Sequence, residues 1–406
     1  MVQAVVLAAG KSTRTYPLTL TRPKPMLKVM NKPLLEHTLD ELIFAGISEA
    51  IIVVGYRKEM IMGYFGNKYK NLNLNYHDQK EQNGTWPAVY GARELIKDRF
   101  VVVYADDLHS GKDIKRCLDN KNSILVTQTK TPELYGIVQI ENGLIKRIVE
   151  KPKEYVGDLA STGILVFDKS VFRFAPHVDK SESYLTDMVN LLCNEEEVYP
   201  VMLNEYWLPT GYPWHLLNAN EYFVSRIADS KSMGSTEVFV MQKGKVHIGK
   251  GSVIKSFTYI EGNVVIGENC IVGPSAYLRD GTTIGNNCII GNSVEIKNSI
   301  IMDNTKIKHR SGICDSIIGE NVNIGAGTEV ANYRHDGGEV KSKVGGKLIS
   351  TGRKKFGVVI GDNAKLGIHT TLYPGRKIWP WMELKPNAEV IDDIMPEKKE
   401  ETDLMP

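Results

Sequence analysis

Apolar residues follow two different rhythms along this chain. Up to about residue 230, short apolar runs alternate with stretches of helical spacing. Ala50 to Val54, Phe100 to Tyr104 and Ser123 to Thr127 read as strands, as does the run ending Val5-Val6-Leu7. Pro33 to Ala45 reads as a helix, with proline in its first turn and Leu35, Leu39, Leu42 and Ile43 on one face. This alternation predicts a mostly parallel sheet covered by helices, with ligands bound beyond the carboxyl ends of the strands. A helical stretch from Trp214 to about Ala228 then leads into Ser230-Lys231-Ser232-Met233-Gly234-Ser235, where a domain junction is expected.

Beyond the junction an aliphatic side chain recurs at every sixth position: Ile248, Ile254, Ile260, Ile266, Val272, Leu278, Ile284, Ile290, Ile296 and Met302. Neither a helix nor a half-buried strand has that period, whereas a stacked β-solenoid with an inward aliphatic residue at each turn does. The register slips between Met302 and Ile318 and resumes at Ile324 and Val330. A charged excursion from about Tyr333 to Phe356 follows. The pattern then returns at Ile360, Leu366, Leu372, Ile378, Leu384 and Val390. The predicted fold class is α/β: a Rossmann-like domain over 1–229, then a stacked β-helix over 230–394 and a tail over 395–406.

Composition narrows the function by exclusion. A chain of 406 residues with 42% hydrophobic and 24% charged residues is that of an ordinary globular protein with two or three cores. A net charge of +2 is too balanced to argue for nucleic acid or an anionic membrane as partner. No apolar run approaches a membrane span, and the short N-terminal one runs into charge rather than a signal-peptide layout. Cys117, Cys193, Cys270, Cys288 and Cys314 are scattered, which fits reduced structural thiols in a cytoplasm.

The candidate chemistry begins where the first strand ends. Past Leu7, Ala8-Ala9-Gly10 is a loop of small residues whose backbone amides suit phosphate oxygens, and Lys11, Arg14 and Lys24 supply three cations close by. A nucleoside triphosphate fits that arrangement. The spacings of the P-loop and of the dinucleotide fingerprint are both absent. After the strand ending at Tyr104 come Asp106 and Asp107, hard-oxygen donors of the kind Mg²⁺ prefers, although the residues alone also read as solvated loop carboxylates.

Strand, Gly-containing loop, Arg14 and the Lys24-Pro25 pair together resemble the sugar-1-phosphate nucleotidylyltransferases. That resemblance implies a sugar phosphate attacking an α-phosphorus, with Lys24 at that phosphate, Arg14 on the departing pyrophosphate and Asp106 as the Mg²⁺ ligand. It implies that Gln79 and the Gly84-Thr85 pair meet a pyrimidine, so that UTP or dTTP is the donor. It also implies that Gly136, Glu150, Lys151, Ser161 and Thr162 hold the sugar phosphate. Three positions depart from the family pattern. Trp86-Pro87 stands where small residues are usual and is expected to crowd the base pocket. Ser161 replaces Asn. Pro209 replaces a metal-binding Asp, which leaves Mg²⁺ to Asp106, phosphates and water.

In the second half the six-residue period, with Ser293-Val294-Glu295-Ile296-Lys297, His309-Arg310-Ser311-Gly312-Ile313-Cys314-Asp315 and Asn323-Ile324-Gly325-Ala326-Gly327-Thr328, resembles the hexapeptide-repeat acyltransferases, which implies a left-handed parallel β-helix of hexapeptide repeats. The whole chain to about Ile394 resembles the archaeal bifunctional sugar-1-phosphate nucleotidylyltransferase/acetyltransferases. An amine attacking the thioester of acetyl-CoA must be neutral, so a general base is required, and His309 has the chemistry for it. The resemblance assigns His309 that role and gives Asn332 and Tyr333 to the amino sugar. It gives Arg279 and Lys297 to the sugar's phosphate, and Lys341 to the same ligand or to coenzyme A. It further implies a homotrimer through the β-helix. Here too the chain departs: Gly312 replaces a family Tyr, Cys314 a Gly, and Trp379-Pro380-Trp381 the usual Ile-Gly step. Two alternatives stay open. One is a glucose-1-phosphate nucleotidylyltransferase with a structural β-helix. The other is a catalytically impaired nucleotide-sugar-binding paralogue that regulates an active partner.

Overall fold

The computed structural model describes residues 2–177 and 183–397, so the tail expected from 395 onward lies mostly outside the described residues. By its contacts the chain forms two units. One comprises Met1–Lys11, Pro23–Met26 and Pro33–Pro209, and the other Ser12–Arg22, Leu27–Lys32 and Thr210–Pro406.

The first unit is built on one twisted sheet. Its centre is parallel: β1 (Gln3–Leu7) lies between β2 (Glu49–Val54) and β4 (Phe100–Tyr104), and β3 (Leu72–Asp78) flanks β2. Helices α1 (Leu34–Phe44) and α2 (Lys58–Phe65) and the short α3 (Thr85–Gly91) fall in the crossovers. Both faces of the centre are covered, as the continuous apolar runs predict. Val5 and Leu7 point into one apolar cluster, and Ala4, Val6 and Ala8 into the other.

The other half of the sheet is antiparallel, contrary to the mostly parallel expectation. There β9 (Leu159–Phe167) runs against β4, β6 (Ser123–Gln128) and β7 (Gly136–Glu141), and β7 forms a hairpin with β8 (Leu144–Glu150). The Asn142-Gly143 turn explains the hairpin, with both residues at positive φ. A parallel strand β10 (Tyr199–Met202) pairs β6, and α4 (Gly111–Cys117) and α5 (Leu185–Leu192) complete the layers. A separate two-stranded ribbon joins β5 (Asp107–His109) to β11 (Trp207–Pro209).

The second unit is a three-sided parallel β-helix carrying helix α6 (Pro213–Ser225). Its three sheets start at Lys231–Ser232, Ser235–Thr236 and Met241–Lys243, and each side gains one short strand per coil. The six-residue period works as predicted. Ile248, Ile266 and Ile284 stack in one column, and Ile254, Val272 and Ile290 in the next, all within a single apolar core. One detail differs. Ile284 stacks on Ile301 rather than Met302, and Ile301 on Ile318, so one residue is lost between Ile296 and Ile301, ahead of the expected slip, and another between Ile313 and Ile318, within it.

Corners of the solenoid need left-handed backbone, and Asn269, Asn287, Asn304, Asn321 and Asn363 supply it at φ of 54°, 57°, 61°, 57° and 63°. A buried column of small residues follows that corner, in which the hydroxyl or thiol of Ser252, Cys270, Cys288 and Thr305 donates to a backbone carbonyl of the next coil. Cys270 and Cys288 are thus structural thiols standing in for serine. The excursion after Val330 contains a hairpin of Lys341–Val344 and Lys347–Ser350 before the coils resume at Val359–Ile360.

The segments 12–22 and 27–32 group with this unit for an electrostatic reason. Arg22 is buried between Glu320 and Asp362, at 2.5 Å from a carboxylate oxygen of each, and Thr21 donates to the same Asp362 oxygen at 2.6 Å. Lys28 pairs with Asp303 at 2.5 Å, and the Asn31 amide donates to the Ile284 carbonyl. A buried guanidinium needs such paired acids, because removing one partner strands the charge.

Candidate functional site

In the first unit, chain topology gathers the predicted nucleotide residues at the carboxyl ends of β1, β3 and β4. After Leu7 the backbone leaves the sheet. Ala8 N–H donates to Val53, and Ala9 carbonyl accepts from Tyr56 N–H and from the Gln82 side chain at 2.9 Å. The Gln82 carbonyl in turn accepts from Lys11 N–H at 3.3 Å. Gln82 therefore staples the small-residue loop of Ala8, Ala9, Gly10 and Lys11 to the segment carrying Gln79. Sequence reasoning gave it no role, since nothing local separates it from Gln79, whose own amide donates to Gly84 at 3.3 Å.

Thr85 opens α3 and accepts from Leu185 N–H at 2.9 Å, which ties the nucleotide segment to the start of α5. The expectation for Trp86 is overturned. Its ring is buried in the core beside Tyr90 and Phe172, at centroid distances of 5.9 and 5.8 Å, so it does not crowd a base pocket. At position 86 the helical face decides: α3 turns that side chain under the sheet, where a large aromatic ring fills volume.

Lys24 is only 4% exposed, and its ammonium lies 2.5 Å from the Asp106 carboxylate. The fold thus unites two residues that the sequence separates widely, one from a 3₁₀ turn and one from the end of β4. No group of three or more His, Cys, Asp or Glu able to cage a metal occurs among the described residues. A single partly exposed carboxylate suits Mg²⁺ held mainly by phosphates and water, which is how that ion usually binds nucleotides. Pro209 pairs in register with Asp107, whose carboxylate also accepts from the Trp207 indole at 3.4 Å.

The sugar-phosphate candidates lie together on the antiparallel half. Gly136 is opposite Glu150 in the β7–β8 hairpin, Lys151 lies 3.4 Å from Glu150 and 5.9 Å above the Tyr184 ring, and Lys151 N–H donates to Tyr135. Strand β9 bulges after Ser161, breaking its register with β6. Thr162 is buried in the bulge, and Gly163 follows at φ 95°, where a Cβ would stand 2.7 Å from the Tyr104 ring. His109, which the sequence reading passed over, is buried between the carbonyls of Thr162 (3.0 Å from Nε2) and Asp107 (3.1 Å from Nδ1). Burial pushes its pKa down to about 4, against backbone contacts that favour the charged form.

Arg14 belongs to the second unit, exposed and with its guanidinium 5.4 Å from the centroid of the Tyr212 ring.

The predicted acetyl-transfer residues lie on neighbouring coils. His309 ends the Lys306–His309 strand, exposed, and its carbonyl accepts from Ser311 and Gly327. Arg279 pairs with Glu295 at 2.9 Å, and Lys297 stands in register with Cys314. Gly312 stands opposite Glu329, whose carboxylate occupies the space a side chain there would need. Asn332 donates to buried Asp315 at 2.6 Å. Asp315 also accepts from Asn298, and Arg353 reaches from the excursion to Glu221 of α6. Asn332 is therefore part of a structural network as well as a candidate contact. Tyr333 is exposed beside it, and Lys341 sits exposed on the hairpin.

A nucleotidyltransferase-type α/β unit followed by a hexapeptide β-helix is the class these two units define. Residues 3–226 match the nucleotidyl transferase family model, and residues 260–391 match the model described as the GMPPB C-terminal domain. The chain is 35% identical over 400 residues to a bifunctional sugar-1-phosphate nucleotidylyltransferase/acetyltransferase of Sulfurisphaera tokodaii, covering 97% of this chain and 98% of that one. It is 41% identical over 400 residues to the bifunctional protein GlmU of Methanococcus maripaludis, covering 97% and 95%. A solved UDP-glucose pyrophosphorylase in complex with UDP-glucose shares the fold over 56% of this chain and all of its own, with a TM-score of 0.51 at 23% identity. The chain belongs to the bifunctional sugar-1-phosphate nucleotidylyltransferase/acetyltransferase family.

Proposed function

We propose that the first unit joins a nucleotidyl group from UTP or dTTP to a sugar-1-phosphate such as N-acetylglucosamine-1-phosphate. The β-helix N-acetylates an amino-sugar-1-phosphate with acetyl-CoA to supply that acceptor. The observation that carries the first activity is the buried Lys24 ammonium against Asp106 at the carboxyl ends of the parallel strands.

In the forward reaction an acceptor phosphate oxygen forms a bond to the α-phosphorus while the bond to the β-phosphate oxygen breaks and pyrophosphate leaves. Lys24 places its positive charge at the α-phosphate, where negative charge crowds in the transition state, and the segment Leu7, Ala8, Ala9, Gly10 and Lys11 lines the phosphates, with the backbone N–H groups of Ala9 and Gly10 given to their oxygens. The family resemblance gives the departing pyrophosphate to Arg14. Gln79, Gly84 and Thr85 read the base, and Gly136, Glu150, Lys151, Ser161 and Thr162 orient the acceptor. Asp106 would hold Mg²⁺, which when bound draws charge from the phosphate oxygens. At the second site the amine nitrogen bonds to the acetyl carbonyl carbon as the carbon–sulfur bond to coenzyme A breaks, and His309 takes the amine proton and returns it to the departing thiolate. Arg279 and Lys297 hold the sugar's phosphate, Asn332 and Tyr333 line the acceptor, and Lys341 reaches the same ligand or coenzyme A. The family resemblance supports a homotrimer, and five free thiols fit a cytoplasmic setting.

A second reading, a glucose-1-phosphate nucleotidylyltransferase with a structural β-helix, is favoured by Glu329 filling the space over Gly312. The test is pyrophosphate release with Mg²⁺, UTP or dTTP, and N-acetylglucosamine-1-phosphate or glucose-1-phosphate, alongside coenzyme A release with acetyl-CoA and glucosamine-1-phosphate. Both products are expected. Pyrophosphate alone would select the second reading. Neither, from protein that binds nucleotide, would overturn both.

A further inference from the structure

We infer that His109 is a positioning residue of the nucleotidyl-transfer site, pinning the bulge of β9 so that the Thr162 hydroxyl meets the sugar phosphate. The inference rests on the reading that Thr162 contacts that substrate. The argument starts from the bulge. Register between β9 and β6 holds through Ser161 opposite Val126 and resumes only at Leu165 opposite Ile124. Residues in such a gap lose ladder hydrogen bonds and need other partners. The Thr162 carbonyl finds one in His109 Nε2 at 3.0 Å, across a wide sequence separation. Gly163 lets the chain turn over the Tyr104 ring at the other end of the bulge.

With its carbonyl held and its backbone turned, Thr162 is 1% exposed, yet its hydroxyl has no hydrogen-bond partner among the described residues. A buried hydroxyl left unpaired costs free energy, and such groups in native proteins commonly await a ligand. His109 is fixed in turn: its ring stacks on Trp207 with centroids 6.3 Å apart and planes 16° apart, and Trp207 meets Tyr135 edge-on at 5.1 Å. Because His109 shares β5 with Asp107, one imidazole links the segment after Asp106 to the strand that carries Ser161 and Thr162.

The test replaces the ring by donors that copy one nitrogen at a time. A glutamine amide reproduces the donor at Nε2, an asparagine amide the position of Nδ1, and leucine neither. His109→Leu and His109→Asn are expected to raise KM for the sugar-1-phosphate about tenfold, as for loss of one buried hydrogen bond. His109→Gln should stay within about threefold of the parent. The dissociation constant for UTP or dTTP, measured by calorimetry, should not move in any of the three. Thr162→Val should raise the same KM by a similar factor. Equal KM values for the Gln and Leu variants, or a parallel loss of nucleotide affinity, would overturn the pinning role. An unchanged KM in Thr162→Val would overturn the reading of Thr162 itself and this inference with it. A raised KM there, with His109→Leu unaffected, would overturn the pinning alone.

Discussion

The two units of this protein put the same chemical alphabet to opposite use. In the β-helix each coil repeats the environment of the last, so one aliphatic residue per side, a small polar residue after the corner and an Asn at the corner suffice to build it. In the α/β unit hardly any environment recurs. Lys24 meets Asp106, Gln82 meets Ala9 and His109 meets Thr162 only because distant strands converge. A repetitive fold tolerates local variation and shows itself in sequence, whereas a convergent site concentrates its consequences in single contacts.

The sharpest test of that contrast is functional. Lys24→Ala should lower nucleotidyl transfer by about 10² to 10³-fold, the range seen when one preorganised charge-stabilising group is lost, with N-acetylation spared. His309→Ala should do the reverse. Pyrophosphate and coenzyme A release measured side by side would check it, and a variant that is folded yet loses both activities would break the two-site model. Next in size is a core truncation. Ile290→Ala, in the middle of the solenoid column, should cost about 2–5 kcal/mol in denaturant unfolding, because both neighbouring coils hold the cavity open.

Gly163→Ala comes third. It combines a strained φ with a close approach to Tyr104, and should raise KM for the sugar phosphate several-fold with little change in the spectrum of the folded protein. The smallest effect belongs to the surface of the α/β unit. Hydrogen bonds from Lys121, Asn122 and Arg173 hold the Glu196 carboxyl down to about 2 from an ordinary 4.5. A depressed carboxylate stabilises fully above its unfolded pKa and loses that contribution as pH falls toward its folded one. Glu196→Gln should therefore lower the thermal midpoint modestly at pH 7, and the difference from the parent should shrink between pH 4.5 and 2.

Sequence by itself determined the class of each unit, because periodicity is a local property. Six-residue spacing predicted the solenoid column by column, erring only where one residue was dropped between Ile296 and Ile301. The apolar runs ending at Leu7, Val54 and Tyr104 predicted the parallel centre. Motif order along the chain brought out Lys24, Asp106 and His309 as candidates. Tertiary structure alone decided what depends on convergence. It made half the sheet antiparallel by running β9 against β4, β6 and β7, and it turned Trp86 into the core. It also gave Gln82 and His109 their partners, tied Asn332 to Asp315 and buried Arg22 between Glu320 and Asp362. A hydrogen bond between residues far apart in the chain leaves no period and no spacing to read, since its strength depends on where two backbones cross.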